Sequence, residues 1–466
     1  MDKQKNEIAN RRIRKRFLSH IRRARKLRSL INGFKKFKAD VKKNNPKADF
    51  KGIAFYQFRQ RNFLQPKPEY SELIKYLANK KNSFSDKNLE FDSNIFEVPE
   101  PFSLIENYTE TSIFLKKLFN ALYYQSFEHI FIDYKKCKYI DVGASMCMDI
   151  ILADFIKHYK TSVAARHTIK VNEITPLNFD KENIKEVLQS IGAFKTLKEF
   201  NVKFNNILAF PIITGSKKDS NLPCQREVDI TKTVDYIIEC LANLNKNLTG
   251  PAETNLYKVI GEVIQNADEH SDTTNRYSIG YFQKNVSENE TFGIFNLAIL
   301  NFGNTFYETF KNPNCENIEV VKQMKELSAK YTSRNLFFQK EFEEETLWTL
   351  YALQDGVTRM ADWDRGNGAI RFIENFYSLK GKSDNDNISK MVITSGHTRI
   401  IFDGTYDIVE KPRGKSNKMY KMMTLNKEGD IEIKPDANYV RYEKNYFPGT
   451  LISVKIRIDF ENTENI

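Results

Sequence analysis

With 466 residues, 41% of them hydrophobic and 28% charged, the chain is long enough for two to four domains with real cores. No run of about 18 apolar residues is present, which excludes transmembrane helices, and the N-terminus lacks the apolar stretch of a secretory signal. Five cysteines, odd in number and without a Cys-x-x-Cys pair, exclude the usual zinc ribbon and a full disulfide framework and point to the reducing cytoplasm.

The net charge of +12 is unevenly placed. Residues 1–50 hold 18 Lys/Arg against four acids, a balance of +14, while the other 416 residues hold 54 against 56. Within this arm Ile13, Phe17, Ile21, Ala24, Leu27, Ile31, Phe34, Phe37 and Val41 recur at three- and four-residue steps, the spacing of an amphipathic helix. Arg12, Arg14, Arg22, Arg23 and Arg25 between them suit phosphates, on nucleic acid or an acidic protein partner. A membrane surface would suit the same pattern, and so would a helix that packs its stripe on the body. Residues 51–100, with Pro66, Pro68, Pro99 and a polar stretch from Lys80 to Asp92, read as a connector with little core of its own.

From about 101 to 215 strands and helices alternate, as in an α/β layer structure. A helix near Thr111–Tyr124 leads to the strand 129–133, then to a short strand 139–141 and an apolar helix from about Ser145 to Tyr159. A strand near Thr168–Val171 and a helix around Lys181–Ser190 come next. Ile132-Asp133-Tyr134 with Lys138-Tyr139-Ile140-Asp141-Val142-Gly143-Ala144-Ser145 resembles the centre of a STAS domain, the fold of anti-sigma-factor antagonists. The resemblance makes Ser145 the nearest candidate for a phosphorylated serine; an ordinary helix N-cap is the plainer role for it.

The helix entered at Gly250-Pro251 carries Leu256, Val259, Ile260, Val263, Ile264 and Ala267 on one apolar face. Glu262, Asn266 and His270, spaced by four, form a polar stripe beside it. An amide oxygen can ligate Mg²⁺, and a nearby carboxylate can orient a water. A strand-like run over Phe292, Ile294, Phe295, Leu297 and Ile299 ends in Leu300-Asn301-Phe302-Gly303-Asn304-Thr305. Next come Asp364-Arg365-Gly366-Asn367-Gly368-Ala369-Ile370, a Gly-x-Gly at a helix start where backbone amides can approach phosphates, and Pro448-Gly449-Thr450 before a closing strand. Further strands are expected near 391–394, 398–402 and 430–434.

Glu262-Val263-Ile264-Gln265-Asn266-Ala267-Asp268-Glu269-His270 resembles the N-box of the GHKL superfamily, closest to its anti-sigma-factor kinases, and the later motifs resemble the other boxes in order. The resemblance implies an α/β (α+β sandwich) Bergerat-type ATP-binding domain with a mixed sheet over 220–460, following the STAS-like module 101–215, the connector and the basic helical arm. It implies ATP and Mg²⁺, with Asn266 as metal ligand and Glu262 positioning the nucleophile. His270, Asn301, Gly303, Arg365, Gly366, Gly368 and Thr450 would surround the nucleotide, with Arg359 a further candidate phosphate contact. Two residues depart from the family's Asp-x-Gly-x-Gly box: Asn301 replaces the Asp that accepts from the adenine amino group, at a cost of about 1 kcal/mol in charge assistance, and Thr305 replaces the second Gly. The expected protein is an ATP-dependent conformational switch or ATPase in bacterial regulation or defence, in which nucleotide orders 304–365 as a lid. A Ser/Thr kinase of the anti-sigma type and a non-catalytic adenine-nucleotide sensor stay open beside it, as does a homodimer.

Overall fold

The computed structural model describes residues from Ser71 to Asp459 with interruptions, chiefly 158–172, 193–203, 217–221, 333–340, 359–367, 381–385 and 413–418. Before Ser71 it describes Asn32, Lys35 and Ala39, all helical and exposed. The rest of the basic arm therefore lies outside the described residues. The chain divides into two compact units, 1–69 with 158–170, and 70–157 with 171–466. The second unit is a mixed α/β structure with one parallel and two antiparallel sheets among the described residues.

This unit opens with a short helix, α1 (Glu72–Leu77), capped by the Ser71 hydroxyl accepting from the Ile74 amide at 3.0 Å. Its Leu73, Ile74 and Leu77 are buried, so this part of the expected connector is packed structure. Three strands, β1 (Ile95–Glu97), β2 (His129–Asp133) and β3 (Glu173–Leu177), form a parallel sheet in that order. Helices α2 (Tyr108–Tyr124) and α3 (Val142–Phe155) make the crossovers that parallel neighbours require. The expected strand over 139–141 is a single bridge from Ile140 to Phe102, and the one expected near 168–171 lies outside the described residues. Helix α4 (Glu182–Ser190) ends this part as expected.

Apolar almost all round, α3 is buried at every position from Val142 to Leu152, as a helix covered on two sides must be. One side meets β-strands of the larger sheet, so closely that a Cβ on Gly143 would overlap the Ser453 hydroxyl. Its N-cap is Asp141, whose carboxylate accepts from the Ala144 amide at 2.8 Å, and not Ser145. Ser145 lies one turn inside the helix, fully buried, with its hydroxyl unpartnered among the described residues.

Asp149, one turn further on, is buried, and neither carboxylate oxygen has a hydrogen-bond partner among the described residues. Burial pushes its pKa well above the usual carboxylate range. The folded chain then holds a proton that the unfolded chain has released, so stability falls as pH rises through the folded-state pKa. Asp149→Asn carries no such proton, so its melting advantage over the native chain should grow between about pH 5 and about pH 8. A difference that stays constant with pH would mean that Asp149 folds ionised.

The larger sheet has five strands in the order β4-β5-β6-β10-β7, where β4 is Ile207–Ser216, β5 Ser271–Val286, β6 Thr291–Gly303, β7 Lys390–Phe402 and β10 Val440–Asp459. Every neighbouring pair is antiparallel, which corrects the expected mixed sheet. Between β4 and β5 run α5 (Leu222–Ala242) and α6 (Gly250–His270), a helix pair that goes out and back and so returns the chain to the end it left. Strand β4, which was not read from the sequence and whose residues up to 215 fall within the bounds expected for the first module, is instead the edge of this sheet. Phe295, Leu297 and Ile299 on β6 join one cluster with Val259, Ile260 and Val263 of α6. Ala298, Leu300 and Phe302 alternate to the opposite face, also buried, where α3 packs. A strand covered on both faces reads as a continuous apolar run, and β6 does.

The expected lid contains α7 (Phe306–Lys311), α8 (Ile318–Thr332) and α9 (Glu344–Ala352). Trp348 of α9 is fully buried and donates from Nε1 to the Ser328 hydroxyl at 3.1 Å, so this part of the segment is packed into the core. Helix α10 (Gly368–Lys380) precedes β7, a single strand where two were expected. A two-stranded ribbon, β8 (Val409–Pro412) with β9 (Met419–Met422), comes after β7. The strand expected at 430–434 is a set of turns, held by the Asn426 amide donating to the carbonyls of Asp430 and Ile433. No helix among the described residues is long and apolar enough to cross a membrane.

Candidate functional site

Helix α6 begins where Thr249 accepts from the Ala252 amide at 3.4 Å, with Pro251 in the first turn. The six apolar residues read from the sequence are all buried, turning the stripe of Glu262, Asn266 and His270 onto a cavity of about 340 Å³. Three strands supply its floor: Ile299 and Asn301 from β6, Ile393 from β7, Thr450 and Ile452 from β10. Phe306, Thr309 and Phe310 of α7 wall one side, and Gly368, Ala369 and Phe372 of α10 another. Six of the expected site residues, Glu262, Asn266, His270, Asn301, Gly368 and Thr450, thus line one cavity although 188 positions separate the first from the last. Gly303 does not line it. That residue pairs with Ser271 across the sheet, and its carbonyl accepts from the Tyr76 hydroxyl at 2.7 Å. Arg359, Arg365 and Gly366 lie outside the described residues.

Backbone fit explains two glycines. Gly368 opens α10 against the Glu262 carboxylate, where any Cβ would overlap it. Gly449 sits at φ +144° with its Cα over the Asn301 carbonyl, a conformation and a clearance that side chains do not allow. The register of β10 shifts here, between Phe447 and Thr450. Thr305, the departure from the second glycine of the box, has a role of its own: it caps α7. Its hydroxyl accepts from the Glu308 amide at 3.1 Å while the Glu308 carboxylate accepts from the Thr305 amide at 3.1 Å, a capping box that contributes about 1 kcal/mol.

Asn301, Thr450 and Ser395 stand opposite one another on β6, β10 and β7, so their side chains share one face. Ser395 Oγ lies 2.9 Å from Thr450 Oγ1 and accepts from the Phe306 amide at 3.1 Å. Sequence reading missed Ser395, because only the pairing of distant strands brings it here. On the other flank of Asn301 stands Arg276 of β5. Its guanidinium is within 2.6 Å of Asp229 on α5 and 2.8 Å of Asp268 on α6, all three buried.

Compared with known proteins, the chain matches no family model, no curated protein and no solved structure. The chemistry of the cavity is then the guide to function.

Glu262 is half-buried, and burial raises its pKa above the ordinary glutamate value, with the Arg371 guanidinium 3.6 Å away opposing the shift. A carboxylate shifted this way is a better proton acceptor near neutral pH. Among the described residues no group of three His, Cys, Asp or Glu could hold a metal ion. Mg²⁺ needs no such group, since it keeps several waters and takes one or two protein oxygens beside substrate phosphates. The Asn266 amide supplies such an oxygen, the Glu262 carboxylate stands beside it to orient a water, and the start of α10 adds backbone amides suited to an anion.

Proposed function

We propose that the cavity binds a purine nucleoside triphosphate, ATP first, together with Mg²⁺, and that the protein is a GHKL-type switch or ATPase with a Bergerat-like domain and a STAS-like layer behind it. What carries this reading is the convergence of four motifs, read from separate parts of the sequence, on one cavity of nucleotide-binding size. Asn266 would hold the metal, which would neutralise phosphate charge. Glu262 would orient a water and take its proton, its basicity supported by burial. His270, Asn301 and Thr450 would hold the rest of the nucleotide, and the Gly368 end of α10 its phosphates. A cytoplasmic setting in bacterial regulation or defence, and a protein or nucleic-acid partner for the basic arm, belong to the same proposal.

The deciding experiment incubates the full chain with γ-labelled ATP and Mg²⁺ and scores free phosphate, labelled protein or neither, which separate ATPase, kinase and sensor. The kinase reading with Ser145 as its own target is disfavoured by the burial of that hydroxyl. The sensor reading draws on the Arg371 contact, which engages the carboxylate proposed to activate water. Should hydrolysis occur, Glu262→Gln is expected to keep nucleotide affinity and lose turnover by roughly 100-fold or more. Native turnover in that variant would remove Glu262 from the chemistry.

A further inference from the structure

Resting on the nucleotide reading, we propose that the base subsite accepts 6-amino and 6-oxo purines alike, because Asn301 is an unanchored amide. Asn301 is 5% exposed and lines the cavity, yet its Nδ2 has no hydrogen-bond partner among the described residues. Its neighbours on both sides are engaged elsewhere. Thr450 is paired with Ser395 at 2.9 Å, and the Arg276 guanidinium is drawn to Asp229 and Asp268. Over it Gly449 packs on the Asn301 backbone, which fixes the main chain and leaves the amide alone to turn.

A buried polar group without a partner is costly unless a ligand satisfies it. A side-chain amide carries a donor and an acceptor side by side, and end-over-end rotation exchanges them. With a 6-amino purine, Oδ1 accepts from the exocyclic amine while Nδ2 donates to ring N1. With a 6-oxo purine the rotated amide donates to the exocyclic oxygen and accepts from the N1 hydrogen. A protein hydrogen bond to either amide atom would select one orientation and one base. A carboxylate at this position would accept only, and would repel the 6-oxo oxygen.

ATP and inosine triphosphate differ at this edge alone, so they are the probes. Calorimetry on the full chain with Mg²⁺ should give Kd values within about tenfold of each other. Asn301→Asp should keep ATP and weaken inosine triphosphate by roughly 100-fold or more, since its carboxylate faces an acceptor. Native binding of ATP with inosine triphosphate weaker by more than about tenfold, or the reverse, overturns this inference while the nucleotide reading stands. Binding of neither overturns both. Equal weakening of the two probes in a folded Asn301→Asp chain would also overturn it, since the amide would then not read position 6. The native Kd ratio decides the matter alone where that variant fails to fold.

Discussion

Asn266→Ala is expected to lose Mg²⁺-dependent ATP binding by about 100-fold while melting like the native chain. Asn266 is exposed on α6 beside the cavity, so the substitution opens no hole in the core, and alanine is the better helix former. The buried face of the helix, from Leu256 to Ala267, is untouched. What is lost is the one neutral oxygen on the stripe suited to a hard cation. Titrating ATP with Mg²⁺ and again with a chelator separates the two contributions. In the native chain Mg²⁺ should tighten binding, and in the variant both titrations should give the same weak affinity. A variant that still gains affinity from Mg²⁺ would move the metal to another group, such as the carboxylate of Glu262 or Glu269, which also line the cavity.

The stripe was legible because helical spacing is a local property. Glu262, Asn266 and His270 share a face whatever else the chain does, and the apolar residues between them say which way that face cannot point. Asn301 and Thr450 were legible only through their resemblance to ordered boxes, since nothing in either segment states that the two strands pair. The ladder that sets Thr450 opposite Asn301 and Ser395 is a long-range fact. Ser395 had no signal at all for that reason. Gly303 is the converse case: it stands in the right box, but its carbonyl is taken by Tyr76 from a helix more than 200 residues earlier.

The fold was legible where burial is symmetrical and obscure where chain direction decides. The apolar helix expected from about Ser145 and the strand-like run from Phe292 to Ile299 are both present, and both are covered on two sides. Strand β5 escaped because α6 passes into it at Ser271 with neither Gly nor Pro between, and its first residues, Ser271-Asp272-Thr273-Thr274-Asn275, look like a loop. Without β5 nothing marked residues 207–216 as a strand of this sheet, so all but the last stayed inside the first module's bounds. Ser145 was a reasonable cap by residue type, but Asp141 begins the helix one turn earlier, where the bridge from Ile140 to Phe102 fixes the entry.

The largest loss of stability is expected from Arg276→Met, because it strands two carboxylates in the core. Asp229, Asp268 and Arg276 are 0%, 3% and 1% exposed, and the guanidinium is the cation within 2.8 Å of both acids. Gly215 of β4 leaves the space it fills, since a Cβ there would overlap it. Removing one member of a buried ionic group costs about 3–5 kcal/mol, whereas replacing the whole group by apolar side chains of similar volume is often neutral. The triple variant Asp229→Leu, Asp268→Leu, Arg276→Met should therefore melt well above Arg276→Met alone. If the single and triple variants melt together at neutral pH, the three charges are not energetically coupled. The cluster bears on the cavity as well. Asp268 lies between Asn266 and His270 on α6, and Arg276 stands beside Asn301, so the same three charges fix the rotation of the stripe over its floor. The triple variant should then be folded and yet weaker for ATP, a separation that a purely stabilising cluster would not produce.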